Sequence, residues 1–135
     1  MASHFLDTNI CIYIIKKSPV KVFRRLKKHH VGDIAISAIT HSELQFGISK
    51  SHPDYREANQ TLLNQFLAPI EILDYPKEAS HLYGEIRTYL ERKGKTIGNL
   101  DLLIAAHALH HQATLVTNNV KEFSRIPDLK IENWA

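Results

Sequence analysis

The stretch Gly98-Asn99-Leu100-Asp101-Leu102-Leu103-Ile104-Ala105-Ala106-His107-Ala108-Leu109, followed after three residues by Ala113-Thr114-Leu115-Val116-Thr117-Asn118-Asn119, decides how this chain folds. Leu100 to Leu109 is apolar on nearly every side and reads as a deeply buried helix. Ala113 to Val116 reads as a short buried strand whose end breaks into polar residues. Outward from there the alternation repeats. Phe5-Leu6 leads into Asp7-Thr8-Asn9 and an isoleucine-rich run, a short buried strand ending in polar residues. Ser18-Pro19 is an N-cap and first-turn pair for a helix turning Val22, Phe23 and Leu26 inward. Asp33 precedes a strand over Ile34–Ser37, and a helix follows from about Thr40 with Glu43 in its first turn. Pro53 opens a third helix, with Leu62, Leu63, Phe66 and Leu67 as its apolar residues. Ile70–Leu73 is a strand. Pro76 starts a longer helix carrying Ala79, Leu82, Tyr83, Ile86 and Leu90, with Gly94 placed to stop it. A last strand falls near Leu129–Ile131. The expected fold is an α/β/α sandwich around a mostly parallel sheet, one domain over residues 1–135 with no repeat or linker.

Composition narrows the class. With 44% hydrophobic and 23% charged residues, 135 residues suffice for a core without disulfides or a structural metal. No apolar run reaches the roughly 20 residues needed to span a bilayer. The single cysteine, Cys11, rules out an internal disulfide and points to a reducing cytoplasm; its apolar surroundings make it a packing residue. The net charge of +3 is compatible with an anionic partner without establishing one.

In open parallel sheets, ligands bind beyond the carboxyl ends of the strands. That rule draws four residues together. Asp7 ends the first strand, Asn119 ends the Leu115-Val116 strand, Glu43 follows the second strand, and Asp101 opens the buried helix. Singly they have plain readings: an Asx-turn, an exposed helix acid, a carboxylate favoured by a helix N-terminus. Converging on one edge they suggest a site for a hard divalent cation, which takes oxygen ligands and few direct carboxylates. No His/Cys spacing suggests zinc, and His107 reads as a packing or hydrogen-bonded histidine.

The segments Leu6-Asp7-Thr8-Asn9, Ser42-Glu43-Leu44-Gln45-Phe46-Gly47, Ile97 to Ala108 and Val116 to Phe123 resemble the PIN-domain ribonucleases, most nearly the VapC toxins of toxin–antitoxin pairs. The likeness spans essentially the whole chain. It implies that Asp7 and Asp101 hold Mg²⁺ or Mn²⁺, that Glu43 orients water at the metal, and that Thr117 is a hydroxyl near the metal. Asn119 stands where many relatives carry a fourth aspartate. The lost charge argues against a second metal ion and leaves Asn119 to bind water or to hold Asp7, with Glu122 either a partial substitute or, as the Glu-Phe pair more usually reads in the family, a structural residue. Thr8, Asn9, Lys93 and Lys95 join Thr117 as candidate substrate contacts. The resemblance further implies a homodimer, a structured RNA substrate and a cognate antitoxin lying over the active site.

Alternatives remain at this stage. An aspartyl-phosphate phosphatase would also place an aspartate after the first strand, but it wants a second one where Asn9 stands. A non-catalytic relative that binds RNA or protein draws support from Asn119. Arg87, Arg92, Lys93 and Lys95 read equally as a groove lining or a solvated face. Arg24 to His30 reads as a solvated face, with non-specific RNA affinity as its alternative.

Overall fold

The structure, a computed structural model, describes residues 2–135; Met1, the first residue of the expected domain, lies outside them. Five short strands form one sheet: β1 (His4–Leu6), β2 (Ile34–Ser37), β3 (Glu71–Leu73), β4 (Thr114–Val116) and β5 (Ile131–Glu132). Their order is β3-β2-β1-β4-β5 and every pairing is parallel, so the strands all end at the same edge.

Among the described residues seven α-helices fill the connections: α1 (Thr8–Lys16), α2 (Val20–Leu26), α3 (Ala38–Ser49), α4 (Pro53–Leu67), α5 (Ser80–Arg92), α6 (Asn99–His110) and α7 (Val120–Phe123). Strand alternation divides the core between the two faces of the sheet. Phe5, Ala35 and Leu115 point to one side, where they meet Ile86 and Leu90 of α5, Leu102 and Ile104 of α6, and Phe123. Leu6, Ile34, Ile36 and Val116 point to the other, against Ile10 and Ile14 of α1, Val22 of α2 and Leu63 of α4. This is the expected three-layer sandwich. Each large side chain so buried contributes about 1.5–3 kcal/mol against exposure.

Several boundaries differ from the sequence reading: α2 is capped at Pro19 with no side-chain bond from Ser18, and β5 begins at Ile131 rather than near Leu129. The isoleucine-rich run after Asn9, to which no helix was assigned, is α1; Asp7 caps it, and Ile10, Cys11 and Ile14 bury one face. Helix α3 starts at Ala38, because Ser37 caps it by accepting from the Ile39 amide at 3.1 Å. Glu43 therefore stands in the second turn. The chain after Pro76 first forms a 3₁₀ turn at Lys77–Ala79 and becomes α5 only at Ser80. Gly94 ends that segment at φ 66°, a left-handed conformation that glycine adopts without strain. Helix α6 is buried as expected over Ile104–Ala108, but Leu100 in its first turn is 49% exposed. No helix among the described residues is long and apolar enough to cross a membrane.

Candidate active site

The register of the two central strands builds the middle of the site. Leu6 pairs with Val116, so Asp7 and Thr117, the next residues on each chain, emerge side by side. The Thr117 hydroxyl donates to Asp7 Oδ2 at 2.8 Å and the Thr8 amide donates to Oδ1 at 2.7 Å. Thr117 Oγ1 also accepts from the Asn119 amide at 3.0 Å, which fixes its rotor. Asp7 is thus 5% exposed with both oxygens engaged. Burial pushes its carboxyl above the usual range and the charge of Glu43 adds to that; the bonds from Thr117 and Thr8 pull the other way.

Glu43 comes from α3, beyond the end of β2. Its Oε1 accepts from the Thr8 hydroxyl at 2.7 Å, so Thr8 links Glu43 to the loop of Asp7. Asp101 enters from the first turn of α6. Its pKa is raised to about 6, first by burial and then by the charges of Asp7, Glu43 and Glu122. Those causes show that the four acids share one electrostatic neighbourhood. Glu122, on α7, accepts from Asn119 Nδ2 at 3.1 Å. The Asn119 side chain is therefore turned to Glu122, and the residue beyond β4 that bonds Asp7 is Thr117.

No cation among the described residues neutralises these acids. The ion pairs engage Glu132, Asp54, Glu85 and Glu91 instead. Gathering like charges raises the free energy of the fold unless a counter-charge arrives. Among the described residues no three His, Cys, Asp or Glu side chains close into a ready cage. An all-oxygen set with few direct ligands suits a magnesium-like ion, which keeps several waters, and does not suit zinc. The donor chemistry fits the implied metal.

The two lysines expected to contact substrate, Lys93 and Lys95, lie in different places. Lys95 borders a cavity of about 490 Å³ with Lys121, Ser124 and Arg125, and Arg125 donates to the Thr96 carbonyl at 3.1 Å. Lys93 instead sits over the Tyr89 ring at 4.8 Å, in a shallow depression along α5 with His81 and Arg92. Lys121 and Arg125 went unread in the sequence; their four-residue spacing across the short α7 was the available signal. Asn9 is exposed beside Thr8. His107 is fully buried, with Nδ1 2.8 Å from Ser37 Oγ. Since that oxygen already accepts from Ile39, its own hydrogen is free for His107. Burial, with His111 and His110 nearby, lowers the His107 pKa to about 4.

A parallel sheet with acids gathered past the ends of its central strands defines a class, and sequence comparison agrees with it: the chain belongs to the PIN domain family, which matches residues 4–129. Relatives that match along the full length include VapC proteins. Ribonuclease VapC2 of Rickettsia felis is 52% identical, over 97% of each chain. The tRNA(fMet)-specific endonuclease VapC of Shigella flexneri is 38% identical over the whole of both. Among solved structures, VapBC2 from Rickettsia felis bound to a DNA fragment from its promoter superposes with a TM-score of 0.89, at 50% identity and 98% coverage of both chains.

Proposed function

We propose that this chain is the toxin of a VapBC-type toxin–antitoxin pair and acts as a divalent-metal-dependent endoribonuclease on structured RNA, transfer RNA or ribosomal RNA being the target class. The observation that carries this reading is the set of four acids, Asp7, Glu43, Asp101 and Glu122, gathered past the strand ends with no ion pair to a cation among the described residues. Asp7 and Asp101 would hold Mg²⁺ or Mn²⁺, and the bound metal would offset phosphate charge and make water a better nucleophile at neutral pH. Asp7 is preset for this by Thr117 and the Thr8 amide, which fix its carboxylate plane. Glu43, steadied by Thr8, orients the water that attacks phosphorus. The water oxygen bonds to phosphorus as a backbone P–O bond breaks, and the water's proton passes to a neighbouring carboxylate. Asn119 holds Glu122 at the rim, while Lys95, Lys121 and Arg125 receive flanking phosphates.

The antitoxin reading is supported by an apolar groove of about 290 Å³ between α1, α3 and α4, lined by Ile12, Ile15, Leu44, Ile48 and Leu62 and adjoining Glu43. A homodimer is supported by the exposed small residues Ser80, Gly84 and Thr88, one turn apart on α5, which let a second copy approach closely. The lone buried Cys11 suits a reducing cytoplasm.

The test is digestion of total bacterial RNA by the antitoxin-free protein with Mg²⁺ or Mn²⁺, beside Asp7→Ala. A discrete cut that needs metal and vanishes in the variant is expected. A folded protein that cuts under neither metal, or a variant that cuts equally well, overturns the reading.

A further inference from the structure

Seven of the seventeen Lys and Arg residues lie between Lys16 and Lys28, and no Asp or Glu occurs anywhere from Thr8 to Gly32. Because the whole chain carries only +3, the remainder is net negative. Lys16, Lys17, Lys21, Arg24, Arg25, Lys27 and Lys28 are all exposed. Of these only Arg25 is in an ion pair among the described residues, with Glu132 at 3.4 Å. The backbone beneath them is anchored: Val22 is buried in the core, and Phe23 and Leu26 pack beside it. Two lysine ammonium groups lie over the Phe23 ring, Lys17 at 5.4 Å and Lys27 at 4.7 Å from its centre. The cations are thereby held on a firm surface rather than on a mobile loop.

We propose that this face, from Lys16 across α2 to Lys28, is a second RNA-binding surface that grips the substrate's phosphate backbone away from the carboxylates. The proposal rests on the ribonuclease reading and extends it. Two features favour RNA over a protein partner. Five of the seven cations are lysines, a residue depleted at protein interfaces, and Val20 is the only strongly exposed large apolar side chain among them. Closely spaced cations match a polyanion that in duplex form carries one charge per about 1.7 Å of axis. The surface is also continuous with the site. Lys16 lines the same groove as Glu43, and α1, capped by Asp7, spans about 14 Å at 1.5 Å per residue before reaching it. An RNA held on α2 and entering the carboxylate edge would be gripped at two places. Substrate choice then depends on the shape of the whole fold as well as on the bases at the cut.

The experiment measures binding of the full-length protein to a bacterial transfer RNA preparation by fluorescence anisotropy, in chelator, across a salt series. The variant Lys21→Ala/Arg24→Ala/Lys28→Ala is compared with a control of equal charge loss, Lys50→Ala/Lys77→Ala/Lys130→Ala. The patch variant should flatten the slope of log affinity against log salt by about two to three, since each lost phosphate contact contributes about 0.7–0.9. The control should change it by less than one. Equal slopes in the two variants would overturn the proposal, because net charge alone would then explain the binding. So would unchanged RNA affinity with lost affinity for the antitoxin, which would assign the face to a protein partner. Binding is read without metal, so a protein that never cleaves RNA yet shows the patch effect counts against the nuclease reading alone.

Discussion

Replacing Asp101 by asparagine should make the metal-free protein more stable while abolishing its proposed activity. Asp101 is held at about 6 by burial and by Asp7, Glu43 and Glu122, against an ordinary value of 3.8. Below about pH 4 the group is protonated both folded and unfolded and contributes nothing. Between there and 6 the unfolded chain releases the proton while the folded chain keeps it, so stability falls as pH rises. Above 6 the loss is complete. A difference of roughly two units corresponds to about 3 kcal/mol as a ceiling. Screening by water at this part-exposed group brings the expected gain in Asp101→Asn to about 1–2 kcal/mol. For a chain of this size that is roughly 4–8 °C in melting temperature. The assay is thermal unfolding in chelator at pH 7.5 and pH 4.5, repeated at pH 7.5 with excess Mg²⁺. The variant should melt higher than the parent at pH 7.5, the gap should shrink at pH 4.5, and Mg²⁺ should raise the parent alone. A variant that melts at or below the parent at pH 7.5, or a gap indifferent to pH, would refute the claim that repulsion is stored at this site.

Three further outcomes follow from the same geometry. Thr117→Val removes the hydroxyl from buried Asp7 and should lower stability by about 1–3 kcal/mol in urea unfolding; cleavage should fall with it, and a fully active variant would remove Thr117 from the proposed machinery. Ser37→Ala deletes both the cap of α3 and the partner of His107, so a loss of about 1–2 kcal/mol in the same assay is expected, and no loss would deny that the cap matters. His107, lowered to about 4, stays neutral in the fold while the unfolded chain takes up a proton near 6.5. Stability should therefore drop as pH falls from 6.5 towards 4. The drop should be shallower in His107→Gln, measured by denaturation at pH 4.5 and 7, and an unchanged slope would disprove it.

What the sequence made legible follows from which signals are local. The strand ends and the acids beyond them could be read because parallel strands put every C-terminus at one edge, so Asp7, Glu43 and Asp101 needed only chain position to be grouped. Helix α1 was hidden because its isoleucines are β-branched and favour strands, while the burial that makes it helical depends on a face of the sheet assembled from β2 and β4. The partners of Asn119 were equally out of reach: whether an amide turns to Asp7 or to Glu122 is decided by α7, four residues long, which has too little periodicity to read. Lys93 and Lys95, neighbours in sequence, part company because Lys93 folds back on Tyr89.

The pairing of Leu6 with Val116 has a consequence for how such a protein is made. The contact that sets Asp7 joins residues 110 positions apart, and β1 gains its second neighbour only when β4 has been synthesised. A nascent chain halted before Thr114 holds three of the acids but neither the hydroxyl that orients Asp7 nor the strand that seats β1. Folding and assembly of the site are thus the same late event, because the hydroxyl and the strand that complete it lie near the end of the chain.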